Sequence, residues 1–445
     1  MDQLVPIPRD IPLPMPAPTG LLQAAIVVFF LLHIIFVNFT LGGALTTLFF
    51  EWLGFRRGER KYDRLAREIA ATITVNKSLA VVLGVGPLLA MNVLYSTYFY
   101  TANALTGTAW IGIIPAAITA FLLLYWHKYS WDAYETHKKR HLAIVAAAVL
   151  LLLAIPLVFL TNINLMLFPE KWPQVHGYFS ALFLPNVLPR YLHFLLATLA
   201  ATGLLLAWRF GRRPIAELED LTPARLRRGF YKLTLAASSA QFIAGPLVYF
   251  TLPVRGITPL MIGLILAGAT LALGAIAFLF SEIYESDERI GRGYWVIVGM
   301  LCGTVALMGT GRHLYREESI QEHRTAMLEK TAEFERISNV AYLEYQAELA
   351  KFPPEQRLFT ARCGACHAVD TVRVGPPLRE IATIYRDRPE GIVAWALAPG
   401  KKRTGFPQMP SMKHVGEKDL LTIAEYMLAT GASVPLPVPS ATVPK

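Results

Sequence analysis

The stretch LAIVAAAVLLLLAIPLVFLTNINLM, from Leu142 to Met166, contains no charged residue in 25 positions. Wound as an α-helix at 1.5 Å per residue it would be about 37 Å long, enough to cross the ~30 Å hydrocarbon core of a bilayer. Reading outward from it, comparable apolar runs lie near 20–50, 72–100, 106–126, 186–208, 230–252, 257–281 and 293–313. Together they predict an all-α, polytopic bundle of about eight membrane spans. Composition agrees: 54% of residues are hydrophobic, 17% are charged and the mean hydropathy is +0.41. A soluble protein carries about 25% charged residues.

The loops between the spans are short, and their charge alternates. Loops after the first, third, fifth and seventh spans hold 19 Lys and Arg, running from Arg56 to Arg292. The opposite side, up to the end of the last span, holds only Arg9, Lys171, Arg190 and Arg255. Basic loops face the cytoplasm. The expected location is therefore a bacterial inner membrane, with both termini periplasmic. The net charge of +10 is then topological, and it carries no expectation of a nucleic-acid partner. The Pro-rich start, residues 5–18, precedes a long first span and reads as a retained anchor rather than a cleaved signal.

Past the last span the sequence changes character. Residues 314–351 are rich in Glu and Arg, with apolar positions interspersed, and predict a helical linker. Residues 352–433 predict a small soluble helical domain. The Val/Pro-rich tail, 434–445, predicts disorder. The expected division is thus 1–313 membrane domain, 314–351 linker, 352–433 soluble domain and 434–445 tail.

The soluble domain carries Cys363-Gly364-Ala365-Cys366-His367. C-x-x-C-H is the attachment signature of a covalent c-type haem. Two thiols at that spacing reach both vinyl groups of one porphyrin, and the adjacent His367 sits under the iron. Three cysteines in all leave no second pair for a zinc site. The third, Cys302, reads as a small packing residue in the last span. A second axial ligand is commonly Met. Met409 lies in Phe406-Pro407-Gln408-Met409-Pro410, 42 residues after His367, with Met412 as the competitor. These motifs, with Gly375-Pro376-Pro377-Leu378, resemble class I cytochrome c. That resemblance implies one haem c held by Cys363, Cys366, His367 and Met409.

Three histidines fall within predicted spans: His33, His193 and His313. An ionisable residue there is a functional candidate, against the alternative of a packed, hydrogen-bonded side chain. Leu32-His33-Ile34-Ile35-Phe36-Val37 with Leu41-Gly42 and Glu51, Leu83-Gly84-Val85-Gly86, Trp131-Asp132, Tyr191-Leu192-His193, Leu260-Met261-Ile262-Gly263 and Gly311-Arg312 together resemble subunit I of cytochrome bd-type quinol oxidases. The resemblance implies haem b: His193 and Met261 on one low-spin haem, His33 on a second, and Arg312 opening the family's Gly-Arg-Gln-Pro-Trp signature. Independently of it, His193 and Met261 fall at similar depths in two co-directional spans, although Met261 alone would read as core packing.

The chain also departs from that family. Gly309 stands where the family has a Glu haem ligand, and His313 is the candidate to replace it, which would make three membrane haems instead of two. The third span, Trp110 to Tyr125, lacks carboxylates, with Gly112 and Ala120 at the relevant positions. The long quinol-binding loop between spans six and seven is reduced to about 250–258. Three readings follow. In the first, a respiratory electron-transfer cytochrome links membrane haem b to a periplasmic haem c, exchanging electrons with quinone or a second membrane subunit. In the second, a bd-like oxygen reductase is fed by cytochrome c. In the third, a non-catalytic anchor docks a cytochrome c to a larger complex. Lys401, Lys402, Arg403 and Lys413 flank the Met409 loop and predict docking of an acidic periplasmic electron carrier.

Overall fold

The computed structural model describes residues 15–212, 218, 221–401 and 404–433, with the side chains of 74–79 excepted. Expectations resting on Arg9, the start of the Pro-rich segment, Arg213, Lys402, Arg403 and the 434–445 tail lie outside the described residues. The chain divides into two compact units, Met1–Thr331 and Ala332–Lys445.

The first unit is built from α1 (Thr19–Arg57), α2 (Arg60–Leu94), α3 (Ser96–Thr106), α4 (Thr108–Tyr129), α5 (Lys138–Leu165), the short α6 (Tyr178–Leu182), α7 (Val187–Phe210), α8 (Pro223–Phe250), α9 (Pro259–Tyr284) and the part of α10 (Tyr294–Ala350) up to Thr331. Among the described residues seven helices are long and apolar enough to cross a membrane, or eight if a bent pair counts as one span. The chain is a multi-pass membrane protein.

The bent pair corrects the expected second span. A continuous helix was predicted over 72–100, whereas the chain breaks at Tyr95 and turns by 110° between Ala80–Leu94 and Ser96–Thr106. Tyrosine explains the turn, because its buried hydroxyl requires a polar partner. The Tyr95 hydroxyl bonds to Glu317, and the Tyr98 hydroxyl lies 3.0 Å from His323 Nδ1, both on α10. A straight α2 would carry these hydroxyls out along its own axis. The break lays them on α10, where Tyr95, Tyr98, Phe99, Trp172, Tyr315 and Ile320 share one buried cluster.

Within the bundle the helices approach through small and polar residues, as lipid-embedded packing favours. Thr198 of α7 donates to Asn38 Oδ1 of α1 at 2.9 Å, and Thr202 donates to the Asn38 carbonyl at 3.1 Å. A Cβ at Gly42 would overlap Thr202. Many of the basic loop residues close the bundle internally. Arg67 pairs bidentately with Asp132 at 2.7 and 3.0 Å, Lys138 bonds Asp63 at 2.7 and 2.9 Å, and Arg228 donates to the carbonyls of Ile283 and Glu285 at 2.9 and 2.8 Å. The last two satisfy carbonyls at the C-terminal end of α9.

The reduced loop between α8 and α9 is clamped. Arg255 donates to Ser319 O at 2.8 Å and Leu167 O at 2.6 Å, and pairs with Glu170 at 2.9 Å. Cys302, expected to pack, is instead exposed on the lateral face of α10. The helix buries other positions there, Thr304 and Gly311 among them.

The second unit contains α11 (Pro354–Arg362), α12 (Leu378–Tyr385), α13 (Pro389–Leu397) and α14 (Glu417–Ala432). Phe359, Cys363, Leu378, Ile381, Ile392, Ile423, Ala424 and Met427 form its core.

Candidate functional site

In the second unit the C-x-x-C-H segment continues directly from α11. Cys363 N bonds Phe359 O at 2.8 Å, and His367 N bonds Cys363 O at 3.0 Å, so the segment keeps a helical turn. Cys363 is buried and Cys366 half-buried. Burial, reinforced by the neighbouring Cys366, pushes the Cys363 thiol up to about 11. It therefore stays protonated at neutral pH and is a poor spontaneous nucleophile.

His367 Nδ1 lies 2.8 Å from the Pro376 carbonyl. A carbonyl can only accept, so Nδ1 carries the proton and Nε2 keeps its lone pair. Imidazoles that bind metals are oriented in this way. The ring rests on Gly375, where any Cβ would overlap it. Met409 is half-buried in a loop tied down on both sides: Gln408 Nε2 donates to Pro399 O at 3.2 Å, Ser411 Oγ to Leu397 O at 2.7 Å, and Met412 N to Ala396 O at 2.9 Å.

In the membrane unit, His33 is half-buried and fits a groove in α2. Its Nδ1 lies 2.7 Å from Ala80 O, and a Cβ at Gly84 would come within 2.8 Å of Cε1. As in His367, Nε2 is the ring nitrogen left for a ligand. Gly309 of α10 faces α1, where Leu31 Cδ2 would stand 3.4 Å from a Cβ at that position.

His193 of α7 sits beside α8. Gln241 Nε2 donates to its carbonyl at 3.0 Å, and its buried Nδ1 has no hydrogen-bond partner among the described residues. Met261 is 2% exposed in the cluster with Tyr95, Tyr98 and Tyr315, and its carbonyl borders Gly311 of α10. His193 and Met261 thus each border a different neighbour, α8 and α10 respectively.

Arg312 is the most anomalous group. Its Nε, Nη1 and Nη2 are all buried without a hydrogen-bond partner among the described residues. Its guanidinium lies 5.1 Å from the Tyr315 ring centroid. Two arginines that sequence reasoning missed lie close enough to act on it electrostatically: Arg190 of α7, one turn before His193, and Arg316 of α10. Arg190 Nη1, Arg316 Nε and Nη1, and His313 Nδ1 are likewise buried and unpartnered. A lone buried charge costs several kcal/mol and an unsatisfied hydrogen-bonding group about 1–3. All three nitrogens of Arg312, with Nη1 of Arg190 and Nε and Nη1 of Arg316, are buried without a hydrogen-bond partner among the described residues, a donor set suited to an anionic group. A haem carries two propionate carboxylates, so this set fits haem in charge and in donor type. The missed signal was an arginine on the loop side poor in basic residues, Arg190, followed three residues later by an intramembrane histidine.

At the basic-loop end of the same unit, Glu51, His127 and His141 are 0%, 1% and 0% exposed. They bond to one another within a buried pocket. Sequence reasoning singled out Glu51 but neither histidine.

Comparison with known proteins accords with this two-part organisation. Residues 356–431 match the cytochrome c family. A solved structure of a bd oxidase from Geobacillus thermodenitrificans superposes with a TM-score of 0.52 at 13% identity, covering 75% of this chain and 99% of that chain. No curated protein matches the sequence. The chain therefore joins a membrane bundle with the fold of a bd oxidase to a C-terminal segment, residues 356–431, that matches the cytochrome c family.

Proposed function

We propose that this protein is a respiratory cytochrome that passes electrons between haem b in the membrane unit and haem c in the C-terminal unit. It would exchange them with quinone or a second membrane subunit on one side and a periplasmic carrier on the other. The observation that carries the reading is the set of buried guanidinium nitrogens of Arg190, Arg312 and Arg316 that have no hydrogen-bond partner among the described residues, in a chain that also matches the cytochrome c family at residues 356–431. Bound haem supplies a one-electron iron couple.

The chain's residues would do the rest. Cys363 and Cys366 would add across the porphyrin vinyls. His367, with Nδ1–H held by Pro376, would present Nε2 to the iron, and Met409 would present its sulfur from the pinned loop. In the membrane unit His193 and Met261 would ligate one haem, with Arg190, Arg312 and Arg316 neutralising its propionates. His33, oriented by Ala80, would ligate a second haem, and His313 is the candidate for a third. The basic-loop side would face the cytoplasm in a bacterial inner membrane, with both termini periplasmic. The linker at 314–351 would be the distal part of α10.

Pyridine haemochrome analysis of the purified chain tests this directly. Haem b together with one haem c is expected, and haem c alone would leave only the anchor reading. His193→Ala should remove one low-spin b spectrum, and an unchanged spectrum would refute that ligand. Steady-state reduction of haem c by a quinol analogue, with and without oxygen, tests the membrane-side donor.

The fold shared with a bd oxidase favours a second reading, an oxygen reductase fed by cytochrome c. Its requirements are an open iron position and a proton route, but Leu31 borders Gly309 where the bd-family ligand would be, and Ala120 of α4 is fully buried. Carbon monoxide separates the readings. A large shift of the ferrous b spectrum, with cyanide-sensitive oxygen uptake, would establish the oxidase.

A further inference from the structure

We propose that Glu51, His127 and His141 form a binding site for a divalent transition-metal ion of the zinc type, separate from any haem. The three residues come from α1, α4 and α5, and their candidate ligand atoms all lie within 4.8 Å of one another. Two imidazole nitrogens and one carboxylate oxygen are a donor set suited to Zn(II) and to Fe(II).

The hydrogen bonding of His141 carries the argument. Its Nε2 lies 2.9 Å from the carbonyl oxygen of His127. That oxygen can only accept, so Nε2 must be the protonated nitrogen. In a neutral imidazole Nδ1 then holds a lone pair, and this lone pair faces Glu51 Oε1 in close contact. Lone pair against carboxylate is repulsive unless a cation lies between them.

On the second oxygen of the same carboxylate, His127 Nε2 stands 2.7 Å from Glu51 Oε2. Lys138, the cation beside the cluster, is committed to Asp63 at 2.7 and 2.9 Å. Trp131 closes the remaining side, with ring centroids 4.9 Å from His127 and 4.7 Å from His141. It too is anchored on Asp63, at 3.2 Å through Nε1. The contact that fixes the His141 tautomer is the one expected of a metal-bound histidine, with the far N–H given to a carbonyl so that the near nitrogen is free to ligate.

A metal would take the Nε2 lone pair of His127, whose ring proton would then sit on Nδ1, and the Nδ1 lone pair of His141 directly. Metal–ligand bonds of about 2.0–2.2 Å require the three donors to open slightly. Complete burial implies that the ion is loaded as the helices assemble and is then retained. By joining α1 to α4 and α5 it would staple that end of the bundle.

The test uses the full-length, haem-loaded protein in detergent, dialysed against micromolar Zn(II) and then against metal-free buffer. Elemental analysis should find about one zinc per chain. X-ray absorption at the zinc edge, which haem iron does not obscure, should show about 2.0–2.1 Å nitrogen and oxygen ligands with outer scattering from two imidazoles. Glu51→Gln and His141→Phe should each lower retained zinc by about tenfold or more while leaving the haem spectra unchanged. Should the variants fail to insert, the absorption spectrum of the unmodified protein still decides. Zinc below about 0.1 per chain would overturn the proposal and leave a proton as the bridging cation. Zinc retained equally by the variants, or bound without an imidazole shell, would overturn it as adventitious.

Discussion

The two ends of the membrane unit handle buried polar groups in opposite ways. At the end holding Arg190, Arg312 and Arg316, guanidinium nitrogens are buried with no hydrogen-bond partner among the described residues. At the end holding Glu51, His127 and His141, each carboxylate oxygen faces an imidazole nitrogen. The first is an excess of positive charge aimed at an anion. The second is a set of lone pairs aimed at a cation. Both are costly in a bare bilayer, and each specifies by its sign what would relieve it. The comparison also separates residues that hold the bundle together from residues that would serve electron transfer.

Four measurements would break or sharpen the contrast. The largest effect is expected in the cytochrome c unit. Cys363→Ala or Cys366→Ala should abolish covalent haem on a stained denaturing gel while the membrane unit still inserts, and full staining would be incompatible with this attachment site.

The next largest concerns Arg312. Replacing it by Met removes a lone buried charge, so with no anionic group nearby the change should be neutral or stabilising by about 1–4 kcal/mol. If propionates occupy the site, the same change should lower b-haem content several-fold, read by haemochrome analysis per mole of haem c.

At the opposite end, His127→Phe leaves one oxygen of a buried carboxylate without its partner. Thermal unfolding should report a loss of about 3–5 kcal/mol, whatever the haem content. A Tm within a degree of the unmodified protein would show that the cluster is not structural.

The smallest effect is electrostatic. Lys401 and Lys413 are exposed near the Met409 loop. Electron transfer to an acidic carrier should slow a few-fold between low and physiological salt, because screening shortens to about 8 Å at 0.15 M. A flat rate would remove the docking surface but not the haem.

Gly375 extends the comparison to the second unit. There the polar groups of the site are neither orphaned nor mutually saturated. His367 has one nitrogen satisfied by Pro376 and the other free. His33 shares this state through Ala80, which makes it the membrane histidine most similar to the one in the cytochrome c motif. His193 differs, since its Nδ1 has no partner.

The cytochrome c attachment motif was legible because its chemistry is local. Cys363, Cys366 and His367 must follow one another on a single turn, so spacing along the chain is spacing in space. The spans were legible for a related reason, because hydrocarbon thickness sets their length. The break at Tyr95 was not legible. It depends on Glu317 and His323, more than 200 residues away in sequence, offering partners to two tyrosine hydroxyls. Arg190 and Arg316 looked like ordinary helix-end charges until packing of α7 against the bundle buried them.

For Glu51, His127 and His141 the sequence determined only that three polar residues lie near the ends of three apolar runs. Whether such ends meet depends on which helices are neighbours and how each is rotated about its axis. Hydropathy does not encode rotation for helices that are apolar all round. Close packing through residues such as Gly42 and Thr202 decides it, and those contacts exist only once the bundle has assembled.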